Sequence, residues 1–224
     1  MDQLAKALVL FTTLLVFSLV SWKKKLLDKD GIIIANIVGI TIYLLGGLES
    51  FFLIVFFFIA GEIATKTGRN GKRQHEQRST GNILGNSAAA ILALYFASPF
   101  GYYGAVSAAL ADTLSSEIGL LSKKKPRLIT TFKEVEHGTD GGITALGCYS
   151  AILGATMIAT FHFLKFQNPL LAITIIFCGF FGSIADSLFG AIFELKKLLN
   201  NTQVNFLGSA TGAISAILIK SLLA

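Results

Sequence analysis

Long apolar stretches alternate along the chain with short polar or basic ones. Eight stretches stand out, over about 4–21, 31–48, 50–65, 82–98, 100–119, 141–162, 169–193 and 205–222. A helix that crosses a bilayer needs about 20 mostly apolar residues, with a range of about 17–25. The pattern therefore predicts a polytopic, all-α integral membrane bundle of about eight transmembrane helices, forming one domain over residues 1–224. The second and third stretches are short, and Gly46-Gly47-Leu48-Glu49-Ser50 reads as a tight turn between them. They are either two full crossings or a re-entrant pair. The first stretch ends in Trp22-Lys23-Lys24-Lys25 with no small-residue cleavage pattern behind it, so it reads as a retained helix rather than a signal peptide. The Phe-rich run 51–58 reads as lipid-facing or packing surface.

Composition agrees: 53% of residues are hydrophobic and 14% charged, against about 25% charged in soluble domains. The net charge of +6 does not point to nucleic acid, because the basic residues are sorted by loop. Sixteen Lys and Arg fall in loops 22–30, 66–81, 120–140 and 194–204, and three (Lys6, Lys165, Lys220) on the opposite side. The positive-inside bias makes those four loops cytoplasmic and puts both termini outside, in a multi-pass protein of the cell membrane whose basic loops meet lipid headgroups or phosphorylated substrates. Cys148 and Cys178 follow no metal spacing and read as small core residues.

Within this apolar background two segments read almost alike: Ala111-Asp112-Thr113-Leu114-Ser115-Ser116-Glu117-Ile118-Gly119 and Ala185-Asp186-Ser187-Leu188-Phe189-Gly190. A carboxylate at membrane depth costs at least a few kcal/mol and ordinarily faces an interior cavity where it serves function. On the predicted topology Asp112 and Asp186 lie at similar depth, near the cytoplasmic ends of their helices. Ser115 and Ser116 share the Asp112 face, while Glu117 is about 140° round the helix. Asn82 and Asn86 are four residues apart, share a face and begin another helix at the same level. The strongly polar intramembrane positions all fall in the cytoplasmic half, which suits a pocket for a cytosolic anion better than a path across the membrane.

The loops supply the complementary charge. Lys123, Lys124, Arg127 and Lys133 precede His137-Gly138-Thr139-Asp140-Gly141-Gly142, and a glycine-rich turn opening a helix is a polyphosphate cradle, with Gly138, Thr139 and Gly141 in it. Loop 66–81 adds Lys72, Arg73 and Arg78. Aspartates beside such a cradle are suited to Mg²⁺, which takes one or two carboxylates together with substrate phosphates. No P-loop and no GxGxxG occurs. The lysine runs also serve as topology signals, Asn82 and Asn86 also suit interhelical glue, and His75 and His137 read as loop residues rather than ligands.

At these residues the sequence resembles the integral-membrane family that includes the plant phytyl-phosphate kinase and many archaeal, bacterial and animal membrane proteins. The matching stretches are Thr65-Lys66-Thr67-Gly68 with Lys72, Arg78-Ser79-Thr80-Gly81-Asn82-Ile83 with Asn86, the Asp112 segment, Pro126 to Gly142, and Gly182 to Ala191. More distantly, that family is similar to dolichol and phytol kinases and to CTP-dependent lipid cytidylyltransferases. The resemblance implies CTP as co-substrate and an isoprenoid monophosphate as acceptor. Asp112, Asp186 and Glu117 would then be the catalytic, Mg²⁺-holding carboxylates. Lys123, Lys124, Arg127 and Lys133 would bind the triphosphate, and Arg78, Asn82 and Asn86 would orient donor or acceptor. A cytidylyltransferase, a small-ion or solute transporter and a non-catalytic membrane subunit are the alternatives. Glycine-rich helix faces allow a homodimer.

Overall fold

The computed structural model describes residues 2–68 and 80–223. Among these, seven α-helices form a bundle: α1 (Gln3–Lys24), α2 (Lys29–Gly68), α3 (Thr80–Tyr95), α4 (Pro99–Gly119), α5 (Ala145–Phe166), α6 (Pro169–Phe189) and α7 (Asn201–Leu223). A π-helical turn, Gly190–Glu194, continues α6. Two short strands, β1 (Arg127–Leu128) and β2 (Gly142–Ile143), pair antiparallel in the α4–α5 connection. Helix starts follow local chemistry. Ser98 and Asn168 cap α4 and α6, each followed by a proline whose missing N–H costs nothing in the first turn.

The stretches 31–48 and 50–65 are the two helical arms of α2, and the turn expected between them falls at Gly47. That element is not straight. Gly47 has φ 74° and ψ −174°, a conformation open to glycine and strained for other residues. The chain turns back there. A Cβ placed at Gly39 would lie 3.2 Å from the Phe51 ring, whereas twelve residues of straight helix would separate the two by about 18 Å. Tyr102 and Tyr103 of α4 hold the turn, donating hydrogen bonds to the Ser50 carbonyl (2.6 Å) and to Glu49 Oε1 (3.1 Å), and Lys165 of α5 pairs with Glu49. The expected start of the sixth stretch at 141 also moves. Thr144 is the N-cap of α5, its Oγ1 accepting from Gly147 N at 2.9 Å, so Gly141 and Gly142 lie in a loop and a strand rather than in the first turn.

Helix α4 is the axis of the bundle. It packs on α2, α3, α5, α6 and α7, and residues 100–111 are all buried. Its small side chains (Gly101, Gly104, Ala105, Ser107, Ala108, Ala109, Ala111) let five neighbours approach, as small residues do between membrane helices. Where α4, α6 and α7 cross there is no room for more. A Cβ on Gly212 would lie 2.6 Å from Ala108 Cβ and 2.7 Å from the Gly104 carbonyl, and one on Gly182 would lie 2.5 Å from Ala108 Cβ.

The outside of the bundle is apolar. Along α1, Leu4, Leu8, Phe11 and Leu15 are 61–80% exposed, a continuous stripe that water would not tolerate and lipid requires. Among the described residues five helices are long and apolar enough to cross a membrane: α1, α2, α5, α6 with its π-turn, and α7. The chain is an all-α membrane helix bundle.

Replacing Gly212 with valine wedges α7 off α4. Overpacking of this kind destabilises by roughly 1–3 kcal/mol or more. Thermal unfolding in detergent should therefore show Gly212→Val lowering Tm clearly, and an unchanged Tm would contradict this helix crossing. Gly47→Ala meets no atoms within 4 Å, so its loss comes from the backbone alone, about 1–3 kcal/mol for a positive φ with extended ψ.

Candidate functional site

One end of the bundle holds a polar cavity of about 230 Å³, walled by the ends of α3, α4, α6 and α7 and covered by loop 137–142. Asp112 and Ser115 descend from α4, Asp186 from α6, Asn82 and Asn86 from α3, and Asn201 and Asn205 from α7. Asp112 and Asp186 approach to hydrogen-bonding range of each other, and the Ser183 hydroxyl reaches Asp112. Two carboxylates at that range repel unless a proton or a cation lies between them. Helix α7 allows the approach because it presents Gly208 there: a Cβ at that position would lie 2.7 Å from both Cβ and Oδ2 of Asp186.

The covering loop is held by its own geometry. Leu128 N–H donates to the Lys133 carbonyl, Val135 N–H to Pro126, and Ile129 N–H to Gly141. Gly141 has φ 73°, and a Cβ on it would lie 2.5 Å from Ala191 Cβ and 2.6 Å from the Ser187 carbonyl. Its backbone therefore rests on the end of α6, so Gly138, Thr139, Asp140 and Gly142 roof the cavity together with His137.

Of the residues singled out from sequence, Asp112, Asp186, Asn82, Asn86, Ser115, Ser116, Gly138, Thr139 and Gly141 line this cavity. Glu117 does not. Its carboxyl turns toward α2, where Thr65 Oγ1 donates to Oε1 at 3.1 Å, as its position 140° round the helix from Asp112 requires. Lys123, Lys124, Arg127 and Lys133 are exposed and absent from the walls. Arg127 pairs with Glu134 (3.7 Å), and the neighbouring Lys125 pairs with Glu136 (2.7 Å). The latter pair raises the Lys125 ammonium and lowers the Glu136 carboxyl. Arg78, Lys72, Arg73 and His75 lie outside the described residues.

Sequence reading missed Asp140, Glu194 and Asn201 as site residues and set His137 aside; all four line the cavity. Glu194 was hidden by the π-turn. On a regular helix it would sit about 80° from Asp186, and one extra residue in the turn brings it to within about 20°. Its carboxyl bonds to Asn201, and Asn205 Nδ2 donates to Asn201 Oδ1 at 3.2 Å.

The cavity thus carries four carboxyl groups (Asp112, Asp140, Asp186, Glu194) and, among its described lining residues, no Lys or Arg. These described walls repel a bare anion. Carboxylate, amide and hydroxyl oxygens are the donor set of a hard ion such as Mg²⁺. Among the described residues no three His, Cys, Asp or Glu converge on one point, and the Asp112–Asp186 pair is the close carboxyl pair they offer an ion.

Residues 12–213 match the family model described as integral membrane protein DUF92. The chain belongs to the DUF92 integral membrane family. It is 37% identical to a membrane protein of Methanocaldococcus jannaschii, over 98% of this chain and 96% of that one. It is 30% identical to two proteins of Arabidopsis thaliana: Protein VTE6, chloroplastic, over 87% of this chain and 65% of the relative, and Protein PGR, over 93% and 86%. The chain therefore spans just under two thirds of VTE6. No solved structure matches. The DUF92 match covers α3, α4, α6 and the roof loop, the elements that build the cavity.

Partial burial raises the Asp140 carboxyl above its ordinary range. A raised carboxyl contributes stability that is present at low pH and is lost as pH rises through its folded value. Asp140→Asn should therefore raise Tm slightly at neutral pH, with the gain vanishing near pH 4, about the ordinary carboxyl range. Paired unfolding curves at the two pH values check this; a pH-independent difference would contradict the raised Asp140 carboxyl.

Proposed function

We propose that this protein is a CTP-dependent phosphotransferase that converts an isoprenoid monophosphate, of phytyl or geranylgeranyl type, to its diphosphate at the cytoplasmic face of the membrane. The observation that carries the reading is the Asp112–Asp186 pair in a polar, carboxylate-rich cavity at one end of an apolar bundle. The relationship to the plant proteins, and the motif resemblance to the phytyl-phosphate kinase family, supply the phosphoryl-transfer class. CTP and the prenyl chain come from that resemblance alone.

Phosphoryl transfer depends on positioning and on neutralising charge. Asp112 and Asp186 would hold Mg²⁺, which when bound neutralises the phosphate oxygens of the donor. Asn82 and Asn86 offer amide donors to the acceptor phosphate, and the backbone of Gly138 to Gly141 covers the donor and keeps water out. An acceptor phosphate oxygen forms a bond to the γ-phosphorus as the bond from that phosphorus to the β–γ bridging oxygen breaks, and CDP leaves with the electron pair. The acceptor is already an anionic nucleophile, so no strong general base is needed, and none is invoked. Glu194, held by Asn201, and Asp140 set the charge of the cavity, so the donor enters with its cation.

The test uses purified protein in detergent with Mg²⁺, CTP labelled at either the α or the γ position, and geranylgeranyl monophosphate. Label should pass to the lipid from the γ position only. Asp112→Asn and Asp186→Asn should each lower the rate by about 10²-fold or more, as loss of a charge-positioning group does. Transfer from the α position with release of pyrophosphate would make the protein a cytidylyltransferase. No transfer from either position, with cation flux in liposomes, would make it a transporter.

A further inference from the structure

A second cavity lies beside the first and is of opposite character. It is a narrow apolar groove of about 60 Å³ between α1, α2 and α3. Phe17 and Leu14 of α1, Val38, Gly39, Phe51 and Phe58 of α2, and Ile83 of α3 form its walls. Asn82 belongs to the lining of both cavities. A single polar residue thus marks the point where a carboxylate-walled pocket passes into an apolar slot. That junction matches the one chemical boundary in an isoprenoid phosphate, between its head and its chain.

The slot is built rather than left over. Gly39 keeps it open: a Cβ there would lie 3.2 Å from both Leu14 Cδ2 and the Phe51 ring. Phe17 and Phe58 form part of its wall as an edge-to-face pair with centroids 4.7 Å apart. Helix α1 packs chiefly on α2, and the Asn36 Nδ2 to Ser18 Oγ hydrogen bond (2.9 Å) ties the two. Along the bundle axis the groove runs from Phe58 to Phe51, about 10 Å at 1.5 Å per residue. That length takes the head-proximal part of a chain, and the remainder continues between α1 and α3 into the bilayer.

We infer that this groove binds the first isoprene units of the acceptor, with its phosphate at Asn82, and so sets the chain preference of the enzyme. The inference rests on the isoprenoid-monophosphate reading above. Gly39 is then a specificity-determining residue, and Asn82 bridges head and tail.

A photoreactive prenyl monophosphate, with a diazirine in its head-proximal isoprene unit, is added to the intact protein in phosphatidylcholine nanodiscs. It should label peptides containing Gly39, Phe51 or Phe58. Excess unlabelled prenyl monophosphate should suppress that labelling, and excess phosphatidylcholine should not. Label falling on α5, α6 or α7 instead overturns the inference, and so does equal suppression by phosphatidylcholine, which would make the groove an ordinary lipid crevice. Kinetics give a second readout. Gly39→Leu should raise KM for geranylgeranyl monophosphate about tenfold more than for dimethylallyl monophosphate, the scale on which small volume changes in an apolar pocket discriminate. An equal rise for both acceptors overturns it. If wild-type protein transfers no phosphate to any acceptor while specific groove labelling persists, the kinase reading falls and the lipid-phosphate site stands.

Discussion

Asp112 and Asp186 meet because the helices around them carry almost no side chains where they cross. Gly182 and Gly212 press on Ala108, and Gly208 presses on Asp186 itself. In lipid there is no hydrophobic force to drive helices together, so this close backbone approach is what holds α4, α6 and α7 as a unit. The same approach forces two carboxyl groups into contact in a medium where each is expensive to bury. The bundle tolerates this only by surrounding them with amides, hydroxyls and a covering loop, and by leaving room for a proton or a cation between them. The polar end of the molecule is the consequence of how tightly the apolar part is packed.

The electrostatics of that end differ from what its loops suggest. Basic residues are plentiful in the chain, yet in the 120–144 segment Lys125 pairs with Glu136 and Arg127 with Glu134, and none of the segment's Lys or Arg lines the cavity. Exposed pairs of this kind are worth little to stability. The described walls are left acidic, with four carboxyl groups and no Lys or Arg among their described lining residues. The roof itself is set by Gly141, whose positive φ and contact with the Ala191 backbone leave no space for a side chain.

Two cavities of opposite polarity share one residue, Asn82. One is polar and carboxylate-lined at the end of the bundle, and the other is an apolar groove between α1, α2 and α3. The folding back of α2 at Gly47 makes that slot, because it returns Phe51 to the level of Gly39 and sets both against α1.

The sequence by itself determined the membrane class, the all-α fold, and nine of the residues that line the cavity. These are properties of local pattern: apolar length fixes a membrane helix, an isolated aspartate within one stands out, and Asn82 and Asn86 share a face at any helical period. What only the tertiary structure decided depends on relations between distant segments. Glu117 and the loop cations have the right charge, but the rotation of α4 turns Glu117 toward α2, and Lys123, Lys124, Arg127 and Lys133 stand exposed outside the walls. Glu194 enters the cavity through a π-turn that no α-period predicts. The turn between stretches 31–48 and 50–65 is legible from its glycines, but that it folds the second arm back along the first rests on Gly47 at φ 74° and on contacts from other helices. Whether the reversal holds is settled by Tyr102, Tyr103 and Lys165, which reach it from other helices.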